Sequence, residues 1–536
     1  MYMFTAGMDI GLTGLQAAQN AINVTGQNIT NINTPGYARQ RVNLETNYAL
    51  QLNTLQFGLG VNTKQIQAIR DHFLDMQLTQ TITRQAGAQT RYEGVENVAA
   101  LFMENVTESS ESGFGIELQR FFQAFEELAA RPEDDAVRTN VVTRAQTWIT
   151  GMKARYSMIE DKRAEANKAV GSISVEVNTL AAQIARLNKE IACEYPKGSD
   201  NNSRNQRQAL VDKLAELVGI QCYEDSLGRM TITVENGIPI VSGDRAFVMH
   251  TSNVDPEGMY RVEIEVGNPY ESPPGSGIWF PGEKVEVTKD IKSGKMGGML
   301  DLRDNILPEY MHNLDQLAAG VVAEVNKIHY TGAGLGPGTD MIYFFVNNTD
   351  FANGTQNEIV WPPPPTTEMG LPSNNGTGMP VEINNNFALM VKNLNVNKVI
   401  VDNPRYVASA SVNGEPGNNE IARRLAALQT TDNTVRVPVF DSAGNLISTI
   451  SKGPYSEFIS SVANTVGNQA LKLQASSNTD ENIRVALEIQ RDRLSAVDMD
   501  EEATNLMTFQ RSYQACSRFI NVINQLTDQL INNFGR

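Results

Sequence analysis

"NITNINTPGYARQ", residues 28–40, marks an abrupt change in the chemistry of the chain. The stretch up to Thr34 carries one charged side chain, Asp9, and arginines first enter at Arg39 and Arg41. Pro35 disfavours helix at the residue before it, and Gly36 permits a turn. Asn31, Thr34, Pro35, Gly36 and Tyr37 therefore read as the stop of a helix, with Asn28–Asn33 as its last turns. Upstream, Met8, Leu15, Ile22 and Ile29 recur every seven residues, with Gly11, Ala18, Thr25 and Ile32 at the intervening offset and Leu12 in the same apolar surface. That spacing predicts a heptad-like packing seam. Gln16, Gln19, Asn20, Asn23, Gln27 and Asn28 form the expected outward face, so the helix lacks the charged surface that keeps a solitary helix soluble.

The far end repeats the design. In "NLMTFQRSYQACSRFINVINQLTDQL" (505–530), Leu506, Tyr513 and Ile520 hold one heptad position, and Phe509, Cys516, Ile523 and Leu530 hold the other. From Ala503 onward the only charges are Arg511, Arg518, Asp528 and Arg536. Asp498, Asp500, Glu501 and Glu502 fall in the first turn, where carboxylates favour the positive end of the helix dipole. A surface that is uncharged all round implies more neighbours than one partner helix supplies. Met8, Leu12, Leu15, Ile22, Ile29, Ile32, Leu506, Phe509, Tyr513, Ile520, Ile523 and Leu530 are the expected assembly interface.

With 536 residues the chain is too long for one core, and roughly two to four domains are expected. A net charge of −17 without a basic cluster argues against a nucleic-acid backbone as ligand. Cys193, Cys222 and Cys516 form no CxxC pair, so neither a zinc site nor a disulfide framework is indicated. The N-terminus lacks the basic start and apolar core of a cleaved signal peptide. No run of about 18 apolar residues suggests membrane insertion.

Between the ends, residues 63–92, 93–106, 115–130, 134–193 and 204–218 show helical periodicity. At Arg229 the period changes from about 3.6 to 2: "RMTITV", Asn236-Gly237 and "IPIV" predict a hairpin, and "YRVEIEV" and "KVEVTK" further strands. A helix is expected over 300–330, short strands and long loops over 331–455, and helix again over 455–492. The fold class is multidomain α+β, with terminal helices pairing as a coiled coil, a discontinuous helical bundle and a β-rich middle. The expected segments are 1–45, 46–225, 226–295, 296–330, 331–455, 456–495 and 496–536.

Catalytic signatures are scarce. Asp71, His72 and Asp75 have metal-like spacing, but a solvated helix face is the better reading. Gly294, Gly297 and Gly298 lack the Lys-Ser/Thr ending of a phosphate loop and read as a hinge. Asn-x-Thr triplets at Asn347, Asn353 and Asn375 are expected by chance. Pro362–Pro365 reads as a stiff spacer. No cofactor, metal or catalytic residue is assigned.

The opening segment resembles the N-terminal signature of bacterial flagellar axial proteins, with Gln27-Asn28 replacing an Asn pair. "FGLGVNTKQIQAIRDHFLDMQL" (57–78), "LQRFFQAFEELAARPEDDAVR" (118–138), "NQRQALVDKLAELVGI" (205–220), "GKMGGMLDLRDNILPEYMHNLDQLA" (294–318) and "DMDEEATNLMTFQRSYQA" (498–515) are similar to its hook-associated members. One departure is Gln208, where that family carries Asp. The resemblance implies a non-enzymatic structural subunit of a tubular polymer joining hook to filament, with the terminal helices lining the inner tube. It also implies uncleaved type III export to the cell exterior and a cytoplasmic chaperone on the C-terminal helix. Copies of the chain itself, the hook protein and the next junction protein are the implied partners. Rival readings are a hook or distal-rod subunit, and a secreted enzyme or adhesin using residues 331–455.

Overall fold

The computed structural model describes residues 2–34, 36–52, 55–102, 114–193, 200–253, 258–266, 270–271, 279–280, 282–347, 390–413, 415–430, 436–440, 446–451 and 454–534. Pro35, Asn353, Asn375 and the Pro362–Pro365 run lie outside them, as does the side chain of Leu530.

Helix α1 (Tyr2–Thr30) stops three residues before Asn33. Both the main-chain and side-chain amides of Asn31 donate to the Gln27 carbonyl, at 3.1 and 2.9 Å, and Thr34 N donates to Asn31 O at 2.9 Å. The last carbonyls of the helix thus find donors in the turn itself. Gly36 follows at φ +76°, the left-handed region that favours glycine.

The next segment corrects the helical reading of residues 63–92. Strands β1 (Gln40–Thr46), β2 (Ala49–Leu52), β3 (Leu55–Gly58) and β4 (Val61–Ala68) come first. β1 pairs antiparallel with β4 from Gln40↔Ala68 to Thr46↔Val61, with a bulge at Asn43/Leu44, and β2 pairs with β3. β4 owes its conformation to β1, a partner that local periodicity does not contain. α2 (His72–Phe102) then continues through residue 93 without the expected break. Its N-cap is Asp71, whose Oδ1 accepts from Phe73 N at 2.9 Å and Leu74 N at 3.3 Å.

α3 (Phe114–Ala130) and α4 (Asp135–Ala192) follow, the latter started by Asp134, whose Oδ1 accepts from Ala136 N at 2.9 Å. α5 (Asn201–Leu217) is capped by Asp200. β5 (Ile220–Glu224), β6 (Met230–Val234), β7 (Pro239–Ser242) and β8 (Arg245–Ala246) form a sheet in chain order, with Asn236-Gly237 turning β6 into β7 as expected. β10 (Tyr260–Val266) lies between β9 (Met249–Asn253) and β13 (Glu283–Glu286), while β11 (Tyr270–Glu271) pairs with β12 (Trp279–Phe280).

α6 (Gly294–Asp301) leads through a turn of π-helix, Leu302–Ile306, into α7 (Leu307–Tyr330). Pro308, which has no amide proton to give, sits in the first turn of α7, and the widened turn ahead of it takes up the misfit. The three glycines are close-approach positions. A Cβ on Gly294 would sit 2.7 Å from Val218 Cα, one on Gly297 2.4 Å from the Lys292 carbonyl carbon, and one on Gly298 2.7 Å from Thr90 Cβ. The remaining elements are β14 (Phe345–Asn347), α8 (Met390–Asn393), β15 (Leu394–Val396), α9 (Lys398–Asp402), α10 (Glu420–Ala427), β16 (Arg436–Phe440), β17 (Leu446–Ser451), α11 (Tyr455–Ser495) and α12 (Met499–Phe534).

The chain forms two compact, discontinuous units. The first comprises residues 1–90, 167–300 and 475–536. Its main core joins Leu78 of α2, Val170, Val177 and Ile184 of α4 and Leu214 of α5 to inward residues of the sheets such as Ile232 and Val262. The second comprises residues 91–166 and 301–474 and centres on aromatic side chains: Phe121 touches Phe125, Trp148, Phe344 and Phe345, and Phe122 stacks on Tyr455. Within that core His329 is neutral. Its Nδ1 donates to Ile342 O at 2.7 Å, its Nε2 accepts from Ala408 N at 2.9 Å, and burial pushes its pKa down to about 4. Arg138, wholly buried there, donates to the carbonyls of Pro132 and Val407 and to Ser409 Oγ, which ties the start of α4 to the segment after α9.

Candidate assembly surface

The two chain ends meet in the first unit, where α1 and α12 pack antiparallel. A Cβ on Gly7 would lie 3.3 Å from Ile523 Cδ1, one on Gly11 2.6 Å from Ile520 Cγ1, and one on Gly14 2.9 Å from Cys516 Sγ. These glycines let the C-terminal helix approach the α1 backbone, and the isoleucines and cysteine fill the space. The row continues with Ala18, Ala21, Thr25 and Asn28, all buried. The β1–β4 ladder also packs on α1, with Asn20 Nδ2 donating to Thr63 Oγ1 at 3.2 Å.

Of the seam expected on α1, Gly11, Ala18 and Thr25 are buried, whereas its large apolar members are not. Met8 and Leu12 are exposed, while Leu15, Ile22, Ile29 and Ile32 are half-buried. Close approach selects the smallest residues, so the true seam follows glycine and alanine. Of the expected outward residues, Gln16, Gln19, Asn23 and Gln27 are exposed, but Asn20 is half-buried and Asn28 is buried. On α12, Leu506, Phe509, Tyr513, Ile520 and Ile523 are half-buried, and Leu530 lies on the same helix. Met507, Phe519, Val522 and Leu526 are exposed, unforeseen apolar members of the outer face.

The signature segment closes on itself and on α12. Asn28 Nδ2 donates to Gln40 O at 2.9 Å and to Glu502 Oε2 at 3.0 Å. Its Oδ1 accepts from Tyr37 OH at 2.9 Å and from Gln40 N at 3.0 Å. Two donors and two acceptors are all satisfied, as burial demands. Arg39 completes the clasp, with Nε on Glu502 Oε1 at 2.8 Å and its terminal nitrogens on both oxygens of Glu501, at 2.6 and 2.9 Å. Those bonds hold the Glu501 carboxyl below its usual range, and burial followed by the Glu502 charge pushes Tyr37 up to about 12. The main chain of Arg39 also accepts from Ile69 N and donates to Ser495 O.

Glu501 and Glu502 thus bind Arg39 in addition to lying in the first turn, and Asp498 caps it, accepting from Asp500 N at 2.9 Å. Arg39 is thus half-buried in the clasp, whereas Arg41 is exposed. Local reading missed the clasp, although one signal was present: Asn28 continues Gly7, Gly14 and Ala21 at intervals of seven, a polar residue in a row of small ones.

Beside the clasp lies a small cleft lined by Gly36, Arg70, Asp75, Gln208, Arg491 and Leu494, among others. Arg70 donates to Gly36 O at 2.8 Å and Asn205 Oδ1 at 3.0 Å, and pairs with Asp75 at 3.5 Å. Gln208 donates to Asp212 Oδ1 at 2.9 Å, and Arg491 stands 3.7 Å from Asp212 Oδ2. Burial pushes Asp212 up to about 6. The folded state therefore holds this proton more tightly than the unfolded chain. The contribution is full below the ordinary aspartate value and is lost as pH rises through about 6. Asp212→Asn is expected to raise the melting temperature at pH 7.5, by an amount that shrinks to nothing near pH 4; thermal melts across that range check it.

Among the described residues no group of three or more His, Cys, Asp or Glu could hold a metal, and no helix is long and apolar enough to cross a membrane.

Three family models match in order: a flagellar basal body rod protein segment over residues 8–37, the flagellar hook-associated protein FlgK helical domain over 101–345, and the C-terminal segment of flagellar basal body rod FlgEFG proteins over 492–533. Flagellar hook-associated protein 1 of Escherichia coli is 25% identical, across 97% of this chain and 98% of its own length. Its counterpart in Salmonella typhimurium is 27% identical over the same shares, and that of Bacillus subtilis 25% over 99% and 98%. The flagellar hook junction protein FlgK from Burkholderia pseudomallei has a similar fold, with a TM-score of 0.58 at 15% identity over 78% of this chain and 99% of that one. With rod-type segments at both ends, a hook-associated helical domain between them and relatives matched along nearly their full length, the chain resembles flagellar hook-associated protein 1 from end to end.

Proposed function

We propose that this protein is a structural subunit of the junction between flagellar hook and filament, assembled through its paired terminal helices. The observation that carries this reading is the outer face of the α1–α12 pair. Met8, Leu12, Gln16, Gln19, Asn23 and Gln27 on α1, and Met507, Phe519, Val522 and Leu526 on α12, stay exposed after the pair has formed, and almost no charge keeps them in water. Neighbouring copies would cover such a surface through repeated heterologous contacts around a tube.

The hook protein on one side and the next junction protein on the other are the proposed axial partners. Export without a cleaved signal fits an assembly helix that a cytoplasmic chaperone holds before release. The helical-domain match over residues 101–345 favours this reading over a hook or distal-rod subunit.

Removal of residues 500–536 tests it. The truncated chain is expected to lose both incorporation at the hook tip and capture by the export chaperone. Normal filaments on cells carrying only that chain would refute the proposal.

A further inference from the structure

The glycine and alanine seam that lets α1 and α12 approach is poor at specifying their alignment. Gly7, Gly14 and Ala21 recur at intervals of seven, and on the other helix so do Phe509, Cys516 and Ile523. Sliding one helix past the other by seven residues puts one small residue of α1 in the place of another and keeps an apolar side chain of α12 against it. Heptad seams without a distinguishing polar layer have this ambiguity, and a single buried polar contact can remove it.

We propose that the buried contact between Asn28 and Glu502 sets the register of the terminal helix pair, making the signature segment a positioning device for assembly. The proposal goes beyond the junction reading, since it concerns alignment within one chain. Asn28 and Glu502 are 1% and 2% exposed, and their contact spans the two ends of the chain. A slip of seven residues would carry Glu502 away from both Asn28 Nδ2 and Arg39 Nε. It would bury a carboxylate with no donor, which costs far more than the slip costs the seam. Asn28 is itself immobile, because Gln40 and Tyr37 occupy its other donor and acceptors. The helix stop at Gly36 folds the chain back to bring them there. On this account the turn, the tyrosine and the arginine serve one alignment.

Cys516 supplies a reporter. A Cβ at position 14 would lie 2.9 Å from its Sγ and 4.0 Å from its Cβ, within the range a disulfide requires. In the full chain, with Cys193→Ser and Cys222→Ala, one cysteine is introduced in turn as Gly7→Cys, Gly14→Cys or Ala21→Cys. Each protein is oxidised with oxidised glutathione, and linked peptides are quantified by mass spectrometry. Linkage to Cys516 is expected from position 14, with positions 7 and 21 about tenfold lower or less. Adding Asn28→Asp, which places a carboxylate against Glu502, is expected to cut the position 14 product about tenfold and to raise linkage at 7 or 21. Combining Asn28→Asp with Glu502→Gln, which exchanges donor and acceptor across that contact but leaves Gln40 O without its donor, is expected to return part of the linkage to position 14. A position 14 product unaffected by Asn28→Asp would overturn the proposal. So would equal linkage at all three positions in the parent, or no recovery in the double variant.

Discussion

Cells whose only copy carries Gly11→Leu are expected to be non-motile, with hooks that bear no filaments. A Cβ at this position already falls 2.6 Å from Ile520 Cγ1, so a leucine forces the C-terminal helix off α1. Overpacking of this kind costs roughly 1–3 kcal/mol, and here it acts on a helix with few other contacts to hold it. Gly26→Ala is the matched control, because nothing lies within 4 Å of the added carbon. It is expected to swim normally and to gain up to about 1 kcal/mol of helix propensity. Soft-agar swimming with the two variants separates packing from helix propensity. Gly11→Ala should lie between them, since the added carbon meets a side-chain carbon, Ile520 Cγ1, rather than backbone.

The second large effect concerns two adjacent glutamates. Glu502→Ala strips a buried acceptor from both Arg39 Nε and Asn28 Nδ2, and breaking a buried pair in this way costs about 3–5 kcal/mol. Glu501 binds the same arginine by two bonds but is 57% exposed at its side chain, and an exposed pair is worth at most about 1 kcal/mol. Hydrogen exchange over residues 503–516 is expected to accelerate strongly in Glu502→Ala and hardly at all in Glu501→Ala. Equal acceleration in the two would show that the buried contact carries no special weight.

These effects separate what could be read in the sequence from what could not. That the ends form long helices with little charge was legible, because periodicity and composition are local properties. The long helices α3, α4 and α5 and the Asn236-Gly237 hairpin were legible for the same reason. Strand β4 was not, since its periodicity resembles an amphipathic helix until β1 is placed beside it. The rotation of α1 was legible in part: the expected seam held Gly11, Ala18 and Thr25, which are buried, but also Met8 and Leu12, which are exposed. The clasp lay furthest out of reach. Arg39 and Glu501 are separated by 462 positions, and nothing local distinguishes these acids from ordinary first-turn carboxylates.

The two halves of the helix pair also explain why the signature takes its form. Asn28 must present two donors and two acceptors, which neither aspartate nor leucine can do. Tyr37 must reach back across a turn that Gly36 makes without strain. Arg39 must remain charged beside two carboxylates, as a guanidinium does. Each residue is specified by the clasp first, which leaves the charge-poor outer face of the pair available for the assembly proposed above.

Electron microscopy of cells lacking this protein tests the central claim most directly. Hooks of normal length without filaments are expected, with flagellin released into the medium and filaments restored by the intact gene. Full filaments attached to those hooks would contradict a role at the junction.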